Sequence, residues 1–400
     1  MIPVTEAIRI IKEQTRTLSV ETVPLARALG RVLAEEIISD SDLPPFDRAQ
    51  MDGFAVRSAD LGSVPARLRV VGEAAAGRGW HQELKAGEAV RIMTGAPVPV
   101  GSDSVQKVEV TTESDGVVEI AEATRPGQNI VRRASEVKAA ESVLQPGEEI
   151  NAAMTAVLAS FGYAEVKVYS RPHAAVLATG TELVAVNEKP GPDQIRDSNT
   201  YSLSAYAQLA GATVERQPLA VDDPETLKQL IREAATRSDC LILSGGVSMG
   251  VYDFTKLALR ELGAEIFFER VSLRPGKPTV FARLGDALVF GLPGNPVSVS
   301  VTFNLFARTA LRAMQGSLQA EMKEESAILA RGVKGSLERA SYLPAQLYSD
   351  TEGRLLAEPL KWGGSSDFVA FARATSLIIV PEGVRALDAG TVVRAVRLPG

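Results

Sequence analysis

The chain has 400 residues, 45% of them hydrophobic and 23% charged, and its formal net charge of −6 argues against a protein that coats nucleic acid. At about 150 residues per domain its length predicts roughly two to four domains, and its single cysteine, Cys240, excludes a disulfide within the chain. No apolar segment is continuous enough for a signal peptide or a membrane span, so a cytoplasmic protein is expected.

Helical periodicity marks the amino-terminal region. Apolar residues recur at helical spacing over residues 4–11, with Thr5 as the candidate cap, and a second helix is expected over about residues 25–37. Asn151 is the candidate cap of a further helix, which Gly162 ends.

The stretch between these helices, residues 43–144, contains short β-branched or alternating segments broken by Gly and Pro. This pattern is typical of a small all-β module. The module is predicted to be inserted into a helical linker region formed by residues 1–42 and 145–170.

Strands and helices alternate over residues 171–320, which predicts an α/β domain with a doubly wound, mostly parallel sheet. Short strands return over residues 328–400, where we expect a C-terminal β-barrel-like domain. The expected fold class is therefore α/β plus β in a multidomain chain.

The α/β domain is organised around the segment that starts at Cys240, which we expect to be a buried structural thiol. An apolar run, residues 241–243, is followed by a glycine-rich turn and then by Asp253, where a new helix is expected to begin. A loop at the carboxyl end of such a strand is where α/β proteins bind ligands. Asp253 can also simply cap the helix.

Three acidic residues follow predicted strands of this domain: Glu182, Asp222 and Asp253. Carboxylates suit a hard divalent cation such as Mg²⁺, which keeps water ligands and bridges to phosphate oxygens. Helix capping by Asp222 and Asp253 remains an alternative interpretation.

Two cations, Arg274 and Lys277, lie on a rigid Pro-Gly turn. Together with backbone amides of the helix that starts after Asn295, they predict an anion site. The alternative is that both are ordinary surface cations. The number of polar loops expected at one edge of the sheet favours a binding site.

Seven short segments, in order over nearly the whole chain, carry a family resemblance: LPPFDRAQMDGFAVR (residues 43–57), RIMTGAPVP (91–99), QNIVRR (128–133), LATGTEL (177–183), SGGVSMGVYD (244–253), PGKP (275–278) and GLPGNPVS (291–298). Together they resemble the molybdopterin molybdenumtransferase family. These molybdenum insertases include the bacterial enzymes and the E domains of the plant insertase and of gephyrin.

The resemblance implies an elongated homodimer of four-domain subunits, with the helical linker as the dimerisation region. It also implies a reaction, the Mg²⁺-dependent hydrolysis of adenylylated molybdopterin with insertion of molybdate at the dithiolene and release of AMP. Mg²⁺ is the implied cofactor. The molybdopterin adenylyltransferase and molybdoenzyme chaperones are suggested as protein partners.

The resemblance further implies roles for individual residues. Asp222, Asp253 and Glu182 would handle the metal and the nucleotide, with Lys277 as a further catalytic residue. Substrate-binding positions of the α/β and C-terminal domains, several of them around molybdate, would be Ser244, Gly245, Gly246, Arg274, Pro278, Asn295, Ser298, Arg339 and Ser365. Positions that the β module would bring to the cleft of the partner subunit are Asp52, Thr94, Arg132, Arg133 and Glu136.

The sequence departs from the family pattern at several positions. Gln106 and Lys107 replace an apolar pair, Glu136 stands where Asp is expected, and Arg274 stands where Lys is common. Because Arg holds an oxyanion in a planar fork, the last change leaves the choice between molybdate and tungstate open. Two other functions also remain open: a non-catalytic molybdopterin-binding carrier or scaffold, and a molybdopterin adenylyltransferase.

Overall fold

The computed structural model describes residues 1–219, 223–246 and 254–399. The chain divides into two compact units. The first comprises Met1–Glu35, Pro146–Thr155 and Glu165–Gly400, and the second comprises Glu36–Gln145 and Ala156–Ala164. None of the described helices is long and apolar enough to cross a membrane.

The second unit is built on a six-stranded, mostly antiparallel sheet, and the all-β character of its segment Glu36–Gln145 confirms the predicted β module. The strands lie in the order Ser104–Lys107, Gly53–Val56, Glu88–Ile92, Ala66–Ala74, Val117–Ile120 and Thr111–Ser114. Two short antiparallel pairs and two 3₁₀ turns accompany the sheet: Ile37–Ile38 with Ser142–Leu144, Arg48–Ala49 with Ile130–Val131, Ser58–Leu61 and Val108–Val110. Phe54, Val90 and Ile92 lie in its hydrophobic cores.

The amino-terminal helix is confirmed, and it spans Val4–Gln14. It buries Val4, Ala7 and Ile11, as its apolar spacing predicts. The prediction that Thr5 caps it is wrong, because the helix already begins at Val4 and its N-cap is Pro3, which makes no side-chain cap.

The second predicted helix, over residues 25–37, is wrong. A single 3₁₀ turn forms at Leu25–Arg27, after a strand, Val20–Pro24, that pairs antiparallel with Glu165–Tyr169. Gly30, with φ of 72°, then leaves the helical region. Pairing of the following backbone with distant segments, including the bond from Leu33 N to Glu148 O at 2.9 Å, overrides the helical spacing of the side chains. The linker region is therefore less helical than predicted.

The helix after Asn151 is confirmed, and it spans Ala152–Ser160. The amide of Met154 donates to Asn151 Oδ1 at 3.0 Å, which is the predicted cap. Gly162 follows the helix with φ of 77°, a conformation that glycine adopts without steric cost.

The central sheet of the first unit has six strands, in the order Thr213–Arg216, His173–Ala178, Cys240–Ser244, Ala287–Leu292, Val280–Leu284 and Glu265–Phe268. The first four are parallel to one another, and the last two add antiparallel pairs. The predicted doubly wound, mostly parallel sheet is confirmed. A small parallel pair, Leu183–Val184 with Ile195–Arg196, lies outside it.

Helices cover both faces of this sheet. They are Asn199–Leu209, Pro224–Arg237, Phe254–Glu261, and a continuous run of Pro296–Thr302, the π-helical segment Phe303–Ala307 and Arg308–Met314. Successive residues of the strand Cys240–Ser244 face opposite layers, so Ile242 joins one buried cluster and Leu243 the other. Burial raises the pKa of the Cys240 thiol, which confirms a structural role.

The C-terminal strands form a closed sheet, which confirms the barrel-like domain. Its order is Ala340–Ser349, Leu355–Pro359, Glu324–Leu329, Val392–Arg397 and Ser376–Val380, and the last strand pairs with the first. A strand of the α/β domain, Leu273–Arg274, adds to this sheet beside Ala340 and Ser341. The short pair Val333–Lys334 with Ala386–Leu387 and the helix Phe368–Phe371 complete the domain.

Candidate functional site

Polar loops follow the strands His173–Ala178, Cys240–Ser244 and Ala287–Leu292 at the carboxyl edge of the central sheet. The chain leaves the first two strands toward opposite sides of the sheet, because Thr213–Arg216 lies beyond the first and Ala287–Leu292 beyond the second. This is a topological switch point, where open α/β sheets form a ligand crevice. A cavity of about 990 Å³, here called the loop cavity, is lined by all three loops.

Two glycines let the second loop approach the first. Gly245 has φ of 93°, and a Cβ atom there would lie 2.4 Å from the carbonyl oxygen of Thr179. Gly246 has φ of 61°, and its Cβ would lie 2.4 Å from Thr255 Oγ1. Both predicted site glycines therefore hold positions that side chains do not fit, and their backbone lines the cavity.

Asn199 connects two of the loops, and sequence reasoning missed it. Its Nδ2 donates to Ser244 Oγ at 2.9 Å and to the carbonyl oxygen of Gly294 at 2.7 Å. The neighbouring Asp197 is buried and accepts from the amide of Thr200 at 3.1 Å and from its hydroxyl. The Asp-Ser-Asn sequence before an apolar helix was the available signal, since these residue types favour helix starts.

Glu182 lines the loop cavity, and its carboxylate lies over Gly180, where a Cβ atom would come 2.5 Å from Oε2. The other two predicted metal ligands, Asp222 and Asp253, lie outside the described residues. No cluster of three or more His, Cys, Asp or Glu residues suited to a metal occurs in residues 1–219, 223–246 and 254–399. Among the described residues, Glu182 supplies the carboxylate oxygens that Mg²⁺ prefers.

The capping interpretation of Asp222 is wrong. The helix Pro224–Arg237 is capped by Asp223, whose Oδ2 accepts from the amide of Thr226 at 2.8 Å. Hydrogen bonds from Thr226 hold the pKa of Asp223 below its ordinary value. The N-cap of this helix is therefore the residue that follows the predicted one.

A second cavity, of about 800 Å³ and here called the cation cavity, adjoins the loop cavity, because Pro278 and Ser298 line both. Of the described residues that line the cation cavity, none is Asp or Glu, and six are basic: Arg274, Lys277, Arg331, Lys334, Arg339 and Lys361. Arg331 is partly neutralised by the carboxylate of Glu358. Lys277 is half-buried and has no acidic partner among the described residues. Such a lining favours an anionic ligand.

The cation cavity forms where the C-terminal domain meets the α/β domain. Arg339 donates to the carbonyl oxygen of Leu273, and Arg274 donates to that of Gly335, both at 3.4 Å. These bonds flank the pairing of Leu273–Arg274 with the closed sheet. The predicted pair of cations, Arg274 and Lys277, is thereby brought beside Arg339.

Ser365 fastens the C-terminal domain to the start of the long helix. Its hydroxyl accepts from Asn295 Nδ2, and its carbonyl oxygen accepts from the amide of Val297, both at 3.0 Å. Pro296 has no N–H and the Val297 amide is taken, so the helix start offers fewer free amides to an anion than the sequence predicted. Ser298 and Ser365 nevertheless line the cation cavity, as predicted.

The site residues predicted in the β module all belong to the second unit. Asp52 accepts from the amide and hydroxyl of Thr94, at 2.7 and 2.8 Å, and these bonds hold the pKa of Asp52 below its ordinary value. The others form ion pairs within that unit: Arg132 with Asp47, Arg133 with Asp42, and Glu136 with Arg48. Their role in a cleft of the partner subunit stays a prediction.

Sequence reasoning missed part of both linings. The missed residues include Arg331, Lys334, Lys361 and Trp362 in the cation cavity, and Asp197, Asn199 and Phe368 in the loop cavity. Arg331 and Lys361 lie in loops between C-terminal strands, Lys334 ends the short strand Val333–Lys334, and none of the three belongs to a motif. The glycines next to Arg331 and Trp362 were a weak indication of these positions in the sequence, because such glycines mark loops that run close to other backbone.

Comparison with known proteins gives matches over nearly the whole chain. Three family models match: the MoeA N-terminal region (domain I and II) over residues 2–162, the probable molybdopterin binding domain over residues 175–313, and the MoeA C-terminal region (domain IV) over residues 326–398. The molybdopterin molybdenumtransferase of Bacillus subtilis is 34% identical, over 98% of this chain and 93% of its own. That of Staphylococcus aureus (strain MRSA252) is 35% identical, over 97% and 94%.

Solved structures agree with the sequence comparison. Two molybdopterin biosynthesis MoeA proteins from Pyrococcus horikoshii superpose with TM-scores of 0.81 and 0.86, at 32% and 26% identity. Each match covers 100% of both chains. The likeness therefore extends over the elements of this chain that line the loop cavity and the cation cavity.

Proposed function

Since this chain belongs to the molybdopterin molybdenumtransferase family, it is a transferase of molybdenum cofactor biosynthesis, and we propose that it inserts molybdate into adenylylated molybdopterin and releases AMP. One observation carries the proposal: a cavity whose described lining has six cations and no acid opens beside a cavity lined by glycine-rich loops. The first suits a tetrahedral oxyanion, and the second suits an organic ligand. Their shared border is where the two substrates would meet.

The cation cavity binds molybdate in this proposal. Two unit charges about 4 Å apart attract by roughly 1 kcal/mol in bulk water and about 4 kcal/mol near a partly buried surface, and the double charge of a dianion doubles both figures for each cation. Arg274 and Arg339 would orient oxygens through their planar forks. Lys277, on a flexible stem, would donate to the oxygen on which negative charge develops.

The loop cavity holds the adenylylated pterin in this proposal. Backbone groups at Gly245 and Gly246 approach the ligand without intervening side chains, and Asn199 fixes that loop against the loop of Gly294. The chain's main contribution is then to position the phosphoanhydride bond and the dithiolene beside Ser298.

Mg²⁺ is the proposed cofactor, held by Glu182 together with Asp222 and Asp253. When bound, it would supply positive charge for the oxygens of the pyrophosphate link. Glu182 fits this role through its carboxylate at the edge of the loop cavity.

The test is release of AMP from adenylylated molybdopterin with Mg²⁺, measured with and without molybdate. We expect molybdate-dependent release, with molybdenum retained on the pterin, and a rate at least about tenfold lower in Lys277→Ala and in Asp253→Asn. Lys85→Ala, which changes an exposed lysine of the second unit, serves as the matched control and should behave as the wild type. Pterin binding without AMP release would instead indicate a carrier, and ATP consumption would indicate an adenylyltransferase.

We also propose that the enzyme works as a homodimer in which Asp52, Thr94 and Arg132 complete the site of the partner subunit. All residues that line the loop and cation cavities belong to the first unit. Mixing Asp52→Asn with Lys277→Ala subunits should then restore part of the activity, because one site of each mixed dimer is intact. A monomer by light scattering, or no recovery from subunits shown to exchange, would reject this arrangement. The adenylyltransferase and molybdoenzyme chaperones stay predicted partners.

A further inference from the structure

One aromatic side chain, Phe368, stands out among the described residues that line the loop cavity. The rest of that lining consists of polar side chains, prolines, glycines and two aliphatic residues, Leu183 and Ile195. A cavity of about 990 Å³ accommodates a ligand with a fused ring system. Polar groups can form hydrogen bonds with the edges of such a ring system, but the face of the ring binds most favourably against an aromatic side chain.

The Phe368 ring is exposed although the short helix that carries it also buries Phe371. Its exposed fraction is 51%, and it begins the short helix Phe368–Phe371. The next residue, Val369, is 67% exposed and does not line the cavity. Both side chains are therefore exposed, but only that of Phe368 lines the loop cavity.

The helix that carries Phe368 is fixed at both ends. Asp367 accepts from the amides of Ala370 and Gly363 at 3.1 and 2.8 Å, and Phe371 is buried in the hydrophobic core of the first unit. Just before it, the carbonyl oxygen of Ser365 accepts from the Val297 amide. The ring is thus presented by an anchored segment, so little conformational entropy is lost when a ligand covers it.

We infer that Phe368 stacks on the face of a fused heteroaromatic ring of the substrate, a pterin or a purine, in the loop cavity. The inference rests on the proposed function for the identity of the substrate. It adds a residue of the C-terminal domain that selects planar rings, next to the border shared with the cation cavity. Stacking on an aromatic side chain is strong enough that its loss should weaken binding by about tenfold.

The experiment measures binding of two probes to the full-length chain: pterin-6-carboxylate by its fluorescence, and AMP by calorimetry. For at least one probe, Phe368→Ala should weaken binding about tenfold, Phe368→Trp should restore it, and Phe368→Leu should not, because leucine keeps apolar bulk without a π face. Val369→Ala is the matched control and should bind as the wild type. The probe that responds shows which ring is stacked.

The two proposals fail in different ways. If the wild type releases AMP normally while Phe368→Ala binds both probes as the wild type does, or if the wild type binds neither probe, the stacking inference is overturned. Equal recovery by leucine and tryptophan also overturns it, because apolar bulk alone would then explain the effect. If stacking is measured but no molybdate-dependent AMP release occurs, the stacking stands and the proposed function fails.

Discussion

At the scale of single residues, Gly245 is a position where backbone conformation and space act together. Its φ of 93° and the 2.4 Å approach to Thr179 O both exclude a side chain, whereas Gly285, in the turn between two strands, has φ of 61° and nothing within 4 Å. We expect Gly285→Ala to lower the free energy of unfolding by about 1–2 kcal/mol and Gly245→Ala by at least about 1 kcal/mol more. Chemical denaturation measures the difference, and equal losses would show that the Thr179 contact relaxes freely.

Asn199 offers a test of the connection between loops. Asn199→Asp replaces the amide donor that faces Ser244 Oγ and the Gly294 carbonyl oxygen with a carboxylate, and the carbonyl oxygen, which can only accept, then lies opposite another acceptor. We expect a loss of about 1–3 kcal/mol in unfolding free energy and weaker pterin binding. Asn129→Asp is a suitable comparison, because its Nδ2 donates to Val105 O within the second unit. Unchanged pterin binding in Asn199→Asp would show that the loops hold their positions without this residue.

Residue-level prediction from sequence depended on short, recognisable motifs. Ser298, Lys277 and Gly245 lie in such motifs, and the structure places them in the two cavities. Lys334 and Lys361 carry no local signal, because only the folding of the C-terminal sheet brings them beside the Pro-Gly turn. Their role depends on tertiary contacts that spacing along the chain does not encode.

At the scale of elements, the helix Phe368–Phe371 depends on a charged cap. Hydrogen bonds from the amides of Gly363 and Ala370 hold the pKa of Asp367 below its ordinary 3.8. Because the folded pKa is lowered, the stabilisation is present above pH 3.8 and is lost as the pH falls through the lowered value. We expect Asp367→Ala to melt below the wild type at neutral pH, and the gap in Tm to close in acid.

Asp367→Asn is the matched control for this pH dependence. It keeps an oxygen that accepts hydrogen bonds but has no charge to titrate, so its Tm should show no contribution from this site as the pH falls. A Tm gap between Asp367→Ala and the wild type that stays constant into acid would contradict the assignment of the cap to the ionised carboxylate.

The elements also show where sequence periodicity fails. The buried strand at Cys240 and the helix after Asn151 were predictable, because an apolar run marks the strand and a cap residue marks the helix. Residues 25–37 have apolar residues at helical spacing, yet Gly30 and pairing with distant strands decide their conformation. The spacing of apolar residues along the chain predicts which side chains are buried more reliably than it predicts the backbone conformation of that segment.

At the scale of the whole molecule, six cationic side chains among the described residues line the cation cavity, where molybdate is proposed to bind. We expect the Kd for molybdate to rise at least about threefold between about 0.05 and 0.5 M NaCl, because the Debye length falls below about 10 Å over that range. Lys361→Ala and Lys334→Ala should flatten this dependence, whereas Lys85→Ala should not. A Kd that is independent of salt would show that hydrogen bonds alone hold the oxyanion.

The strand Leu273–Arg274 has a consequence for chimaeras between relatives. It belongs to the α/β domain by chain order but completes the edge of the closed C-terminal sheet, and four of the six cavity cations come from that sheet's side of the junction. A graft of residues 324–399 from a relative would therefore replace most of the oxyanion-facing charge while the glycine loops of the host stayed in place. The preference for molybdate or tungstate would then be that of the relative, provided that the grafted sheet still paired with the host's Leu273–Arg274.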